Sequence, residues 1–247
     1  MSEPAERTRR DPDPDAMLEH LGPATDRVIA DVAVLSDADV RAPSALPDWS
    51  RGHVISHLAR NADGLGNLAT WARTGVETPM YPSREQRNAD IETGSGRTAA
   101  QLTDDFVHSS QRLLDALRDM PPVGWTRELR FGAQNRVLAG AWIGLHRFAE
   151  TEIHHTDLAV GYDTDQWPPE LVGPYLPDAI TGLDERAGEP LGLVCTDSWA
   201  RIGSDDPAAR VVSGPGHLLL AWVTGRSDGL TLAVEPEGQL PSLGPWR

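Results

Sequence analysis

Two stretches of this chain repeat ionisable side chains at intervals of four inside runs whose apolar residues recur at helical spacing. One carries His53 and His57, the other His146, Glu150 and His154. Residues four apart lie on one face of a helix, so His57, Glu150 and His154 can converge on one divalent metal if the two helices pack together. Two imidazoles and one carboxylate are the minimum set that leaves a catalytic zinc an open coordination position, and chemistry is expected at that position.

The surrounding pattern is helical first and mixed later. Met17, Leu18, Leu21, Val28, Ile29, Val32 and Leu35 predict a first helix, which Gly22-Pro23 can kink or restart. Asp48 or Ser50 can cap a second, with Val54, Leu58, Leu65, Leu68 and Trp71 as its apolar face and Gly75 as its end. The segment from Pro79 to Gly96 lacks periodicity and reads as a long loop. A third helix is expected over Thr98 to Met120, stopped by Pro121-Pro122. A short hairpin over Thr126–Phe131 and Arg136–Leu138, turning on residues 132–135, and a fourth helix from about Ala139 to Val160 follow.

Four such helices make a bundle, and metal sites are assembled between the facing helices of bundles. Beyond Trp167, a helix over Pro169–Glu185, strand-like runs at Leu191–Cys195, Trp199–Ile202 and Ala209–Ser213, a helix over His217–Val223 and a last strand at Leu230–Val234 predict a small α/β domain. The division expected is a polar, disordered tail over residues 1–15, a helical bundle over 16–165 and the small domain over 166–247.

Composition narrows the function. The formal net charge is -15, which argues against a nucleic-acid partner, because phosphate binding needs a basic footprint. All 22 basic residues are arginine, so Schiff-base chemistry on a lysine is excluded. The single cysteine, Cys195, has no partner for an internal disulfide, and Met1 to Ala16 has no apolar core of a signal peptide; both suit a cytoplasmic protein. No apolar stretch approaches the roughly 20 residues of a membrane span. The arginine-, alanine- and aspartate-rich usage suits a GC-rich genome such as an actinobacterial one.

Several runs carry a more specific signal. They are Asp48-Trp49-Ser50-Arg51-Gly52-His53 through His57, Asn61-Ala62, Trp71 through Tyr81 with its Thr-Gly-x-Glu-Thr-Pro-Met-Tyr stretch, and Glu150-x-x-x-His154-x-x-Asp157-Leu158. With Val211 to Gly214 and Gly225-Arg226-x-Asp228-Gly229, they resemble the mycothiol-dependent maleylpyruvate isomerases over nearly the whole chain after its polar start. The resemblance implies a DinB-like helical bundle followed by a smaller α/β domain similar to sterol-carrier folds. It implies zinc held by His57, Glu150 and His154, mycothiol as the thiol, and a functional role for Arg226.

The reaction implied is the cis-trans isomerisation of maleylpyruvate to fumarylpyruvate by reversible thiolate addition to the alkene. Arg226 is the expected catalytic residue, clamping a substrate carboxylate or stabilising the enolate, and Arg87 is a second candidate for the dicarboxylate. His53 reads as a neighbour of the site or a surface residue, Asp157 as a supporting or helix-end group, and His155 as pointing to solvent. His146 is open between bystander and neighbour of the metal. A metal-dependent S-transferase using the same site on another electrophile is the alternative enzyme, and a non-enzymatic binding module using the C-terminal domain is the third reading. The partners expected are a small-molecule substrate and a low-molecular-weight thiol.

Overall fold

The computed structural model describes residues 11–132 and 136–246. The chain divides into two compact units, Met1–Val160 and Gly161–Arg247. The first contains, in order, α1 (Pro14–Ala33), α2 (Asp37–Arg41), α3 (Arg51–Thr74), α4 (Arg84–Ser95), α5 (Ala99–Arg118), α6 (Pro122–Thr126), the strands β1 (Glu128–Phe131) and β2 (Arg136–Ala139), and α7 (Trp142–Asp157).

The long helices α1, α3, α5 and α7 form a four-helix bundle, with α3 packed on α5 and α7, and α1 on the same two. Its interior is apolar: Val28 and Val32 of α1, Val54, Ile55 and Leu58 of α3, and Leu102 and Phe106 of α5 form one buried cluster. Each such side chain contributes about 1.5–3 kcal/mol by leaving water, before the entropy of ordering it is subtracted.

Local chemistry explains where the helices start and stop. Ser50 caps α3 by accepting the His53 N–H, and the His53 ring answers by accepting the Ser50 N–H. At the other end Gly75 takes the left-handed conformation, φ 78°, that a β-carbon disfavours. Thr98 and Gln101 form the reciprocal cap of α5.

The sequence expectations need correction in four places. The stretch read as a loop from Pro79 to Gly96 contains α4, capped by Ser83; only Ile91 and Gly94 of that helix are buried, so it carries no apolar stripe to read. Gly22-Pro23 does not interrupt α1, because Pro23 falls on its exposed face, where water can take the carbonyl that the ring leaves unbonded. The first helix begins at Pro14, inside the expected tail, while residues 1–10 and 133–135, including most of the expected hairpin turn, lie outside the described residues. The long helix read over Pro169–Glu185 is broken at Gly182, φ 74°.

The second unit contains α8 (Pro169–Ala179), α9 (Leu183–Ala187), β3 (Leu191–Cys195), β4 (Arg201–Gly203), β5 (Arg210–Gly214), α10 (Gly216–Val223) and β6 (Ala233–Glu235). The strands form one mixed sheet in the order β4-β3-β5-β6, with β3 and β5 parallel and both edge strands antiparallel. Register pairs Leu193 with Val212, both fully buried, and α10, with Leu219 and Leu220 fully buried, packs on α8. A helical unit followed by a mixed α and β unit is the fold class that the sequence predicts. Among the described residues, no helix is long and apolar enough to cross a membrane.

Candidate metal centre

The bundle packs α3 against α7, and three ionisable side chains from the two helices meet there. His57 lies two turns into α3, while Glu150 and His154 are one turn apart on α7. His57 Nε2 is 3.0 Å from Glu150 Oε2 and 3.0 Å from His154 Nε2; His154 Nε2 is 3.4 Å from Glu150 Oε2. Metal bonds of about 2.0–2.1 Å at tetrahedral angles would set such donors about 3.3 Å apart. The spacing and the donor types therefore fit one small divalent cation. Glu150 keeps 28% of its side chain exposed against 5% for His57, so the cluster opens to solvent on the carboxylate side.

The partners of each ring define its tautomer. His154 Nδ1 donates to Asp157 Oδ2 at 2.8 Å, which leaves the lone pair on Nε2, aimed into the cluster. His57 is arranged the other way. Arg87 NH2 is 2.9 Å from its Nδ1, and a guanidinium only donates, so the proton of the neutral ring sits on Nε2 between Glu150 and His154. A cation entering there displaces that proton.

Charge follows the same geometry. Burial pushes the His57 imidazole down to about 4, with His154 adding to the effect. Burial works to raise the Glu150 carboxyl, but its interactions with the His154 and His57 rings outweigh it and hold the group well below the usual carboxylate range. His154 is depressed by burial yet raised on balance by Asp157 and Glu150. The cluster is thus an ionised carboxylate with one neutral and one proton-attracting imidazole, a set that exchanges protons for a cation.

The lining comes from the first unit's loops and from α4. The indole of Trp49 meets the His57 ring edge-on at 5.7 Å and stacks on His53 at 5.9 Å. The loop behind Trp49 is tied to α7 by a hydrogen bond from the Ala45 N–H to the Asp157 carbonyl. Arg87, on the unexpected α4, lies 5.7 Å over the Tyr81 ring, and burial raises the Tyr81 hydroxyl to about 12. Gly64 explains the position of the Met80-Tyr81 run: a β-carbon there would lie 2.8 Å from the Tyr81 ring and 3.0 Å from the Met80 carbonyl.

The remaining candidates fall elsewhere. His53 serves the α3 cap and pairs with Glu92. His146 packs edge-on against Phe131 and Trp142. His155 does not face solvent; it is 1% exposed and bonds Asp31 of α1 at 2.7 Å, because α1 covers that side of α7. Arg226 belongs to the second unit, where it donates to the Thr224 carbonyl and lies 5.4 Å over the Trp246 ring. Cys195 is buried in β3, and burial and Asp197 raise its thiol, which suits no nucleophile.

Sequence reasoning assigned no part to Arg147, which is buried three residues before Glu150 on the same face of α7. Its signal was present, since a charged residue at that spacing from Glu150 and His154 must point into the bundle with them.

Residues 21–159 match the family described as the mycothiol maleylpyruvate isomerase N-terminal domain. No curated relative matches the chain. Among solved structures, it is similar to a crystal structure of the mycothiol-dependent maleylpyruvate isomerase, with 29% identity, a TM-score of 0.85, and coverage of 96% of this chain and 98% of that one. A histidine-to-alanine mutant of that enzyme matches equally well.

Proposed function

Because this chain belongs to the mycothiol maleylpyruvate isomerase family, we propose that it is a zinc- and mycothiol-dependent enzyme converting maleylpyruvate to fumarylpyruvate. The observation that carries the reading is the meeting of His57, Glu150 and His154 at 3.0–3.4 Å, with the carboxylate side open. Zinc and the thiol together would supply a thiolate at neutral pH, whose reversible addition turns the substrate's double bond into one that can rotate.

The protein's own residues do the rest. His57, Glu150 and His154 would hold the ion, and Asp157 keeps the His154 lone pair directed at it. For His57 Nε2 to hold the ion, the single ring proton must shift from Nε2 to Nδ1 by exchange with solvent, and Nδ1 then no longer accepts from Arg87. That guanidinium is freed beside the site for a substrate carboxylate, to which its planar fork is matched. Tyr81 and Trp49 supply aromatic walls that restrict water around the reacting thiol. Arg226 is proposed to bind the dicarboxylate or its enolate.

Ultraviolet monitoring of maleylpyruvate conversion by the zinc-loaded protein tests this, with mycothiol present, absent, or replaced by glutathione. Conversion that requires mycothiol is expected. No conversion by protein shown to carry zinc would refute the isomerase and leave an S-transferase acting on another electrophile at the same site.

A further inference from the structure

Arg147 is 1% exposed, yet none of its hydrogen-bond acceptors is charged. NH1 donates to the Leu58 carbonyl at 2.8 Å and to Asn61 Oδ1 at 2.9 Å; NH2 donates to Ser110 Oγ at 3.0 Å, and the guanidinium lies 5.7 Å from the Phe106 ring. Burying a cation this way is costly, and apolar residues of similar volume often pack at least as well. The cost is visible in the group itself, which burial lowers to about 10 while Glu150 pulls it back.

What the arginine joins indicates its use. Leu58 follows His57, and Asn61 is one turn further along α3 on the His57 side. On α7, Glu150 lies three residues and His154 seven residues beyond Arg147. Its fork therefore ties the backbone of α3, at the residue after one candidate ligand, to the face of α7 that carries the other two. Apolar packing alone specifies helix register loosely, since neighbouring ridges and grooves repeat. A metal centre tolerates only about 0.2 Å in its ligand distances.

We propose that Arg147 is a positioning residue of the metal centre, setting the register of α3 against α7 that brings His57 to Glu150 and His154. This rests on the reading of those three residues as metal ligands. The planar guanidinium reaches two acceptors on α3 from one nitrogen and a third on α5 from another. A lysine keeps the charge but has no second arm.

The test is Arg147→Lys in the full chain. Zn²⁺ affinity is measured by competition with a chromophoric chelator, the absorption spectrum is taken with Co²⁺ in place of zinc, and the thermal midpoint is determined in EDTA. The expected result is a 10- to 100-fold loss of affinity, the range typical of residues that orient ligands, with a shifted Co²⁺ spectrum. A variant that melts lower in EDTA but keeps native affinity and spectrum would overturn the proposal and leave Arg147 a structural residue.

If Arg147→Lys does not fold, Asn61→Ala and Ser110→Ala decide, since each removes one acceptor of the same guanidinium. Affinity falling several-fold in Asn61→Ala and unchanged in Ser110→Ala supports register control between α3 and α7. Equal affinity in the two overturns it. Failure of the unmodified protein to bind either ion would instead sink the metal reading on which the proposal stands.

Discussion

Asp157→Asn isolates the contribution of one hydrogen bond to the centre. Asp157 is 1% exposed and accepts from His154 Nδ1 at 2.8 Å, so the carboxylate both fixes the ring proton on Nδ1 and makes Nε2 a better donor to a cation. Asparagine keeps the shape. Turned one way, it offers a neutral and weaker acceptor; turned the other, its amide donates to Nδ1, drives the proton to Nε2 and blocks the ligand position. Loss of such a partner costs about 10- to 100-fold in metal affinity, which at about 1.4 kcal/mol per tenfold is about 1.4–2.8 kcal/mol.

The sign of the pH dependence also follows. Asp157 raises the His154 imidazole, so in the native protein protons compete with the metal from a higher pH than usual. Removing the carboxylate relaxes that competition, and the deficit of Asp157→Asn is therefore largest well above the imidazole range and shrinks as pH falls. The assay is chelator competition for Zn²⁺ across that range. Asp31→Asn is the control, since it makes the same exchange on the adjacent His155, where Asp31 pairs at 2.7 Å with a ring that lines no ligand cluster. Native affinity in Asp157→Asn at high pH, or an equal loss in Asp31→Asn, would refute the argument.

Four other outcomes are expected. His57→Ala, Glu150→Ala and His154→Ala should each lose stoichiometric zinc, measured by elemental analysis, while circular dichroism reports an intact helical fold; metal retained by all three would overturn the ligand assignment. Arg226→Ala should keep its zinc and lose turnover of maleylpyruvate, so native turnover would remove that arginine from the reaction. Gly64→Ala should displace the Met80-Tyr81 run, which approaches to 2.8–3.0 Å of a β-carbon there, and raise the KM for substrate without loss of metal; an unchanged KM would show that Tyr81 does not line the substrate site. Asp105, held low on balance because Arg60 and Arg97 outweigh its burial, contributes stability that is present above the ordinary aspartate range and disappears as pH falls through its folded value. Asp105→Asn should therefore melt below the native protein at neutral pH, with the gap narrowing only as pH falls below the ordinary aspartate value of about 3.9; a gap that stays constant as pH falls below that value would refute the linkage.

The order of the elements was largely legible, and the exceptions share a cause. Apolar periodicity marks the helices and strands that bury one face, which is why α1, α3, α5, α7 and most of the second unit could be read from spacing. It is silent for α4, whose residues lie mostly in water. It also misjudges Pro23, because a proline's effect on a helix depends on which way the freed carbonyl faces. His155 was misplaced because one face of α7 meets α3 while the opposite face meets α1, and a single-helix projection cannot show that both are covered.

For the site, the four-residue spacing of Glu150 and His154, and the three-residue step to Asp157, are properties of a helix and so of the sequence itself. They establish which side chains share a face of α7. The meeting of that face with His57 is decided by packing between helices 93 residues apart, as are the contact of Arg87 with His57 and the burial of Arg147. The physical reason is range. Helical periodicity is local and repeats with every turn, whereas a metal centre requires one register among several that the same apolar stripes would accept, and only the folded interior, with its buried polar contacts, selects it.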